Sequence, residues 1–244
     1  MGKVLTVVYG VVCYVVFFAT FLYAIGFVDG LAVPKAVDDG VAGPLIPTLL
    51  INGALLAVFA VQHSVMARPG FKAAWTKIVP APLERSTYVL LASLALILLF
   101  WQWRPLPQTI WSVDGPLATG LWVVNALGWA LLLTSTFLIS HFDLFGLNQV
   151  WALFTGKAQP AKPFDTPLYY RYVRHPLYLG FVIGFWAAPH MSLGHLIFAV
   201  GGTGYILVGI FLEERDLVTA FGDTYRAYQK RVSMLLPWPP KAGA

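Results

Sequence analysis

Charged side chains are scarce in this chain of 244 residues: only 11% are Asp, Glu, Lys or Arg, whereas 58% of the residues are hydrophobic. A soluble domain carries roughly 25% charged residues, so the composition excludes an ordinary water-soluble protein. The net charge of +5 would suggest a nucleic-acid partner in a soluble protein. In a membrane protein the same excess has another cause, the orientation of the loops, and we expect no nucleic-acid partner.

Cysteine is nearly absent, because Cys13 is the one cysteine of the chain. It excludes an intramolecular disulfide and a cysteine cluster for zinc. There is also no HExxH motif, and the glycines at 201–204 do not form a GxGxxG turn after a strand, which excludes a Rossmann-type site. Imidazole is a common metal ligand, so His63, His141 and His175 could form a metal site, but their spacing is not diagnostic and we expect no metal.

Long apolar runs are what the chain does have. Four of them, at about 4–28, 45–66, 86–103 and 117–139, reach the roughly 20 residues that a bilayer core requires, and a stretch at about 173–212 is broken near Pro189. Backbone groups in hydrocarbon must bond within their own segment. The sequence therefore predicts an all-α, polytopic membrane helix bundle with about five to six transmembrane helices and a C-terminal helical hairpin.

The segment after Glu214 has a different pattern. Apolar and aromatic residues share one helical stripe, and basic residues lie off it. The stripe consists of Leu217, Phe221, Tyr225, Tyr228 and Val232. This pattern predicts an amphipathic C-terminal helix at the membrane surface, which is either an anchor or a wall of the active site.

The positive residues indicate the orientation. If Lys3 is cytoplasmic and each run crosses once, only Lys35 and Arg104 of the sixteen Lys and Arg residues fall in the opposite loops. Cytoplasmic loops of membrane proteins carry such an excess of positive charge. We therefore predict that both termini are cytoplasmic, and the lack of internal repeats predicts a single domain over 1–244.

Polar residues collect at the predicted cytoplasmic ends of the helices. Gln62 and His63 end the second predicted helix, and His141 and Asp143 follow the fourth. Arg174 and His175 open the fifth, and Glu213 and Glu214 close the sixth. A charge buried in the membrane costs at least about 2.5 kcal/mol and usually faces a partner or a cavity. Each end taken alone is explained by the wet headgroup region, but four ends on one leaflet predict a cytoplasm-facing site.

Two segments carry a resemblance to a known family. RHPLYLG at 174–180 and EERDLVTAFGDTYRAYQKRV at 213–232 resemble the signature of the membrane methyltransferases that include isoprenylcysteine carboxyl methyltransferase and phospholipid N-methyltransferases. The resemblance implies that S-adenosylmethionine binds within about 168–232. The cofactor-binding residues that it implies are Tyr170, Arg174, His175, Tyr178, Leu179, Gly180, Glu213 and Glu214.

Further segments narrow the resemblance. FLYAIGFVDGLAVPK at 21–35 and SHFDLFGL at 140–147 are similar to the bacterial methanethiol S-methyltransferases, which implies conversion of methanethiol to dimethyl sulfide in the bacterial inner membrane. QHSVMARPGFK at 62–72 also resembles the membrane proteins of the NnrU type. Two alternatives therefore stay open, a lipid or prenylcysteine methyltransferase and a non-catalytic NnrU-like accessory protein.

Methyl transfer to a thiol assigns roles to these residues. The acceptor must lose its proton first, because the thiolate is the effective nucleophile. The candidates for this step are His141, Asp143 and His63, and we favour His141 with Asp143.

The resemblance also implies roles at the cofactor. His175 would contact the ribose or the amino-acid part, and Arg174 would pair with the carboxylate. Glu213 or Glu214 would accept from the ammonium or the ribose hydroxyls, and Gly180 would permit close backbone approach. The expected partners are a small thiol and membrane lipid.

Overall fold

The computed structural model describes residues 2–157 and 163–237. Within these ranges it is 74% helical and contains ten α-helices and two short strands. In chain order they are α1 (Lys3–Asp29), α2 (Leu45–Ala67), α3 (Pro69–Trp75), α4 (Ala81–Gln102), β1 (Thr109–Ser112), α5 (Gly115–Ile139), α6 (His141–Leu144), α7 (Leu147–Thr155), a 3-10 helix (Leu168–Arg171), α8 (Pro176–Trp186), β2 (His190–Ser192), α9 (Leu193–Phe221) and α10 (Asp223–Arg231).

Five of these helices, α1, α2, α4, α5 and α9, are long and apolar enough to cross a membrane. Many of their large apolar side chains are exposed, including Ile46, Leu50 and Phe211, as expected where lipid replaces water as the solvent. Helix α8 has 11 residues and rises about 16 Å, so a crossing of the roughly 30 Å core at this point also requires the residues that flank the helix. The all-α membrane bundle is confirmed, and the chain is an integral membrane protein.

Two boundaries differ from the prediction. The helix expected to end near residue 212 continues to Phe221, so Glu213 and Glu214 lie within α9 and not at its end. It stops where Gly222 adopts a φ of +57°, a conformation that glycine tolerates. The chain after the fourth apolar run, for which the sequence predicts no helix before the fifth, contains α6 and α7, which are too short to show a clear period in the sequence.

The described residues cluster in two compact units. The first contains residues 2–110, 140–157 and 192–195, and the second contains residues 111–139, 163–191 and 196–237. In the first unit α1 and α2 pack on α4, and α7 packs on α1; in the second α5 packs along α8. The predicted single domain over 1–244 stays a prediction.

A lysine closes the end of α4 in the first unit. Lys35 Nζ donates to the carbonyl oxygens of Trp101 at 2.7 Å and Trp103 at 2.8 Å. The last carbonyls of a helix lack partners within the helix, so a cation at this point satisfies them. The Asn52 side chain bonds both the N–H and the C=O of Arg104, at 2.9 and 2.8 Å, and fixes the chain as it leaves α4.

Glycines allow α5 and α8 to touch backbone to backbone in the second unit. A Cβ placed on Gly180 would lie 2.6 Å from the carbonyl oxygen of Gly128 and 2.6 Å from the backbone nitrogen of Leu132. Nearby, Asn125 Nδ2 donates to the Gly184 carbonyl at 2.9 Å. Small residues permit this close approach of membrane helices, and it fixes the start of α8 against α5.

Candidate active site

Glu214 is the centre of a polar cluster in the second unit. Its Oε1 accepts from Arg174 Nε at 2.6 Å and from His175 Nε2 at 3.0 Å. Its Oε2 accepts from Gln229 Nε2 at 2.8 Å, and the Tyr225 hydroxyl lies 3.4 Å from Oε1. Both carboxylate oxygens therefore have donors from within the protein. This satisfies the charge in α9 and explains why the helix continues past Glu214.

Arg174 joins the start of α8 to the end of α10. Its Nη1 donates to the carbonyls of Gln229 at 3.0 Å and Val232 at 2.5 Å, so the guanidinium caps α10 with a positive charge. The backbone N–H groups of Arg174 and His175 donate to the carbonyls of Ser233 and Met234, at 2.8 and 3.2 Å. The RHP segment is thus held by the residues that follow α10.

The aromatic residues of α10 face inward. Tyr225 and Tyr228 are buried, and both pack against the ring of Phe164. The Tyr228 hydroxyl donates to the Tyr170 carbonyl at 2.5 Å, and burial raises the pKa of Tyr228 to about 12, so it stays protonated near neutral pH. Helix α10 therefore forms one wall of the cluster around Glu214, and its role as a wall of the active site stays a prediction.

Two atoms beside this network have no hydrogen-bond partner in the part of the chain that the structure describes. They are the Tyr170 hydroxyl and Glu213 Oε2, both shielded from solvent. Glu213 Oε2 lies 3.9 Å from His175 Nδ1. Burial, and then the charge of Glu213, raise the pKa of Tyr170, so the Tyr170 hydroxyl stays protonated near neutral pH and can donate a hydrogen bond. A ligand with both acceptor and donor groups would satisfy them.

The remaining predicted cofactor residues lie on the first turns of α8. The ring of Tyr178 lies 5.6 Å from that of His175, and its hydroxyl faces α9 at Gly209. Leu179 is half-buried. Gly180 lies against the backbone of α5, and its predicted role at the cofactor stays a prediction.

His141 lies in the first unit and is 3% exposed. Its Nε2 is 2.8 Å from the Tyr14 hydroxyl, and the rings of Phe145, Phe142 and Tyr14 pack around it at 4.8 to 5.7 Å. Burial lowers the pKa of His141, so the imidazole is neutral near pH 7. A neutral imidazole can accept a proton.

Asp143 borders a cavity of about 270 Å³ in the same unit. The cavity is lined by Lys72, Glu84, Arg85, Asp143, Leu144 and Gln149. Asp143 Oδ1 accepts from Gln149 Nε2 at 3.0 Å, and Arg85 Nε donates to the Leu144 carbonyl at 2.7 Å. The lining is polar and contains charges of both signs.

His63 is held by a tyrosine of α4. The Tyr88 hydroxyl lies 2.8 Å from His63 Nε2, and the guanidinium carbon of Arg85 lies 5.2 Å from the centre of the Tyr88 ring. Arg85 thereby links His63 to the lining of the Asp143 cavity.

The sequence did not point to the two tyrosines that hold the histidines, Tyr14 and Tyr88. A tyrosine inside an apolar run is a usable signal, because a buried hydroxyl requires a partner. Over residues 2–157 and 163–237, no three His, Cys, Asp or Glu side chains are grouped so that they could hold a metal ion.

Comparison with known proteins gives relatives over nearly the whole chain. The model of the NnrU protein family matches residues 50–236. A methanethiol S-methyltransferase of Mycobacterium tuberculosis is 56% identical over 98% of both chains. Methanethiol S-methyltransferase 1 of Bradyrhizobium diazoefficiens is 58% identical over 97% of this chain and 83% of the relative, and a methanethiol S-methyltransferase of Crocosphaera subtropica is 49% identical over 98% and 94%.

No solved structure matches the chain. The family model covers more than half of the chain, and relatives that are 56% and 58% identical over nearly its whole length are similar enough to show membership of their family. The chain therefore belongs to the NnrU family and to the family of the methanethiol S-methyltransferases, which are membrane methyltransferases.

Proposed function

We propose that this protein transfers a methyl group from S-adenosylmethionine to methanethiol and so forms dimethyl sulfide. The names of the relatives support the acceptor. The observation that carries the proposal is the cluster around Glu214, beside which the Tyr170 hydroxyl and Glu213 Oε2 have no hydrogen-bond partner among the described residues.

These two atoms fit the proposed cofactor. S-adenosylmethionine carries an ammonium, a carboxylate and ribose hydroxyls, and when bound it supplies an electrophilic methyl carbon on a sulfonium. Glu213 Oε2 can accept from the ammonium or a ribose hydroxyl, and the Tyr170 hydroxyl can donate to an oxygen. His175, between the two glutamates, is the third contact, with Tyr178 and Leu179 beside it.

Arg174 and Glu214 have a different role in this proposal. Arg174 Nε and Nη1 and both oxygens of Glu214 are already bonded within the protein. We therefore assign them to positioning His175, and direct contact of either residue with the cofactor stays a prediction. Gly180 has the same indirect role, because it seats the start of α8 against α5.

The thiol must lose its proton before it can attack. We assign this step to His141 with Asp143, and His63 is the alternative. Burial keeps His141 neutral near pH 7, and the hydrogen bond to Tyr14 fixes its ring. A lipid or prenylcysteine acceptor is the competing proposal, and the names of the relatives favour the thiol. Membership in the methyltransferase family excludes the non-catalytic alternative.

The orientation is also a proposal. The distribution of positive residues supports a cytoplasm-facing site in the bacterial inner membrane, with both termini in the cytoplasm. A cytoplasmic metabolite such as S-adenosylmethionine would then reach the cluster around Glu214 without crossing the bilayer.

Calorimetric titration of the purified protein with S-adenosylmethionine tests the cofactor proposal. Tyr170→Phe and Glu213→Gln each change one group that has no hydrogen-bond partner among the described residues, so both variants should keep a thermal midpoint close to that of the wild type. A lost hydrogen bond to a charged group costs about 1.5 to 3 kcal/mol, and we expect the Kd of each variant to rise about tenfold or more.

The matched control is Tyr172→Phe, whose side chain is 68% exposed, and it should bind as the wild type does. Headspace chromatography then measures dimethyl sulfide formed from methanethiol. Wild-type affinity in both site variants would exclude the assigned contacts, and absence of any dimethyl sulfide would exclude the acceptor.

A further inference from the structure

One buried hydroxyl on α5 has no hydrogen-bond partner in the described part of the chain. The buried face of α5 consists of Asn125, Gly128, Trp129, Leu132, Ser135 and Thr136. Asn125 bonds the Gly184 carbonyl, and the Thr136 hydroxyl donates to the Leu133 carbonyl of its own helix at 2.6 Å. The Ser135 side chain is 0% exposed, and its Oγ has no hydrogen-bond partner among residues 2–157 and 163–237.

Serines inside helices usually avoid this state. Their hydroxyl commonly donates to the carbonyl four residues earlier, and Ser93 on α4 does so, with Oγ 2.8 Å from the Val89 carbonyl. A buried hydroxyl without a partner destabilises the fold. A bound ligand that accepts a hydrogen bond from this hydroxyl would remove the cost.

The packing register places Ser135 at the start of α8. Asn125 contacts Gly184, and Gly128 and Leu132 contact Gly180, so residue numbers on α8 fall as those on α5 rise. Ser135 lies on the same face about one turn beyond Leu132. This register sets it beside Pro176 and the RHP segment, within the unit that contains His175 and Glu214.

We infer that the Ser135 hydroxyl donates a hydrogen bond to the sulfur of the thiol acceptor, an inference that rests on the proposed function. Methanethiol has one polar atom and a methyl group. The buried face around Ser135 likewise offers one hydroxyl without a hydrogen-bond partner among the described residues, one helical turn from the apolar side chain of Leu132. The multiply charged cofactor matches instead the cluster around Glu214.

The chemical effect concerns the proton of the thiol. A donor to sulfur stabilises the thiolate more than the thiol, because hydrogen bonding to a charged form favours that form. Ser135 therefore orients the sulfur and lowers the pKa of the bound thiol. The residue also distinguishes a thiol from an apolar molecule of the same size.

Steady-state kinetics of Ser135→Ala test the inference, with Ser93→Ala as the control because Ser93 is equally buried but has its own partner. We expect the KM for methanethiol to rise about tenfold in Ser135→Ala, as for the loss of one hydrogen bond to a charged group. The pH profile of kcat should move to higher pH. In Ser135→Ala the Kd for S-adenosylmethionine should not rise and the thermal midpoint should not fall. Ser93→Ala should leave the KM for methanethiol and the pH profile of kcat unchanged.

An unchanged KM and an unchanged pH profile in Ser135→Ala would overturn the inference while the proposed function stands. A lowered thermal midpoint together with weaker cofactor binding would also overturn it, because that pair of results indicates a structural role. Failure of the wild-type protein to bind S-adenosylmethionine is a separate result that refutes the proposed function itself.

Discussion

The guanidinium of Arg174 performs two functions at once. Through Nε it pairs with Glu214, forty residues later in the chain, and through Nη1 it caps the carbonyls of Gln229 and Val232. The planar fork of arginine allows both sets of bonds in one conformation. A lysine ammonium has the same charge but acts as a compact point and cannot reach both sides.

Arg174→Lys is therefore expected to destabilise the protein although the charge is kept. Loss of the two carbonyl bonds, or of the carboxylate bond, should cost about 1 to 3 kcal/mol. The measurement is the thermal midpoint in detergent at one scan rate. The control is Arg226→Lys, since Arg226 is 57% exposed and its partner Asp223 is 97% exposed, and it should leave the midpoint unchanged. Equal shifts in the two variants would contradict the assigned role.

The sequence identified several residues of the cluster but not the different role of each residue. The family signature pointed to Arg174, His175, Glu213 and Glu214. Adjacent residues on a helix point about 100° apart, so one of the two glutamates had to face inward, but the pattern could not say which. The structure shows that Glu214 is the saturated one and Glu213 retains an unpartnered oxygen.

At the scale of elements, the contact of α5 with α8 seats the RHP segment. Gly180 and Gly128 approach each other so closely that neither can carry a side chain without backbone movement. A methyl group on Gly180 would meet main-chain atoms of α5, which cannot rotate away. Overpacked positions of this kind cost about 1 to 3 kcal/mol.

Gly180→Ala should lower the thermal midpoint and, through displacement of α8, weaken binding of S-adenosylmethionine. Gly120→Ala on α5 is the matched control, because a Cβ there meets nothing within 4 Å. Alanine is the better helix former by about 1 kcal/mol, so the control should keep or raise the midpoint. Thermal unfolding and calorimetry on both variants check this, and a stable Gly180→Ala would show that the helices can separate without cost.

Element boundaries were predictable where one physical rule dominates. Hydrocarbon thickness sets the length of the long helices, so their centres and most of their ends were found. The end of α9 was not predicted correctly, because two adjacent glutamates suggest the end of a membrane helix. In the structure the Glu214 carboxylate accepts hydrogen bonds from Arg174, His175 and Gln229, so the helix can continue. Helix α6 has only four residues, too few to show a helical period.

For the whole molecule, the charge distribution determines the expected orientation. Lys35 is one of two positive residues in the predicted outer loops, and the structure explains its presence there. Its ammonium caps the end of α4, and burial lowers its pKa. The fold therefore explains why Lys35 lies in a predicted outer loop, and its position there does not argue against the predicted orientation.

Fusions of the chain to reporters check this orientation. Green fluorescent protein should fluoresce at either terminus, and alkaline phosphatase should be inactive at both, because each reporter works on one side of the inner membrane. Phosphatase inserted after Gly40, in a predicted outer loop, is the positive control and should be active. An active phosphatase at one terminus alone would mean an odd number of crossings and would contradict the proposed access from the cytoplasm.

The backbone bonds from Arg174 and His175 to Ser233 and Met234 have a consequence for biosynthesis. Every long apolar helix precedes these partners in the chain, so all of the membrane-spanning segments are synthesised before the RHP segment can form these bonds. The RHP segment acquires its last backbone partners only when residue 234 has left the ribosome. A chain that terminates before residue 233 would therefore contain the long helices without the contacts that hold the RHP segment, and we expect such a chain to be inactive.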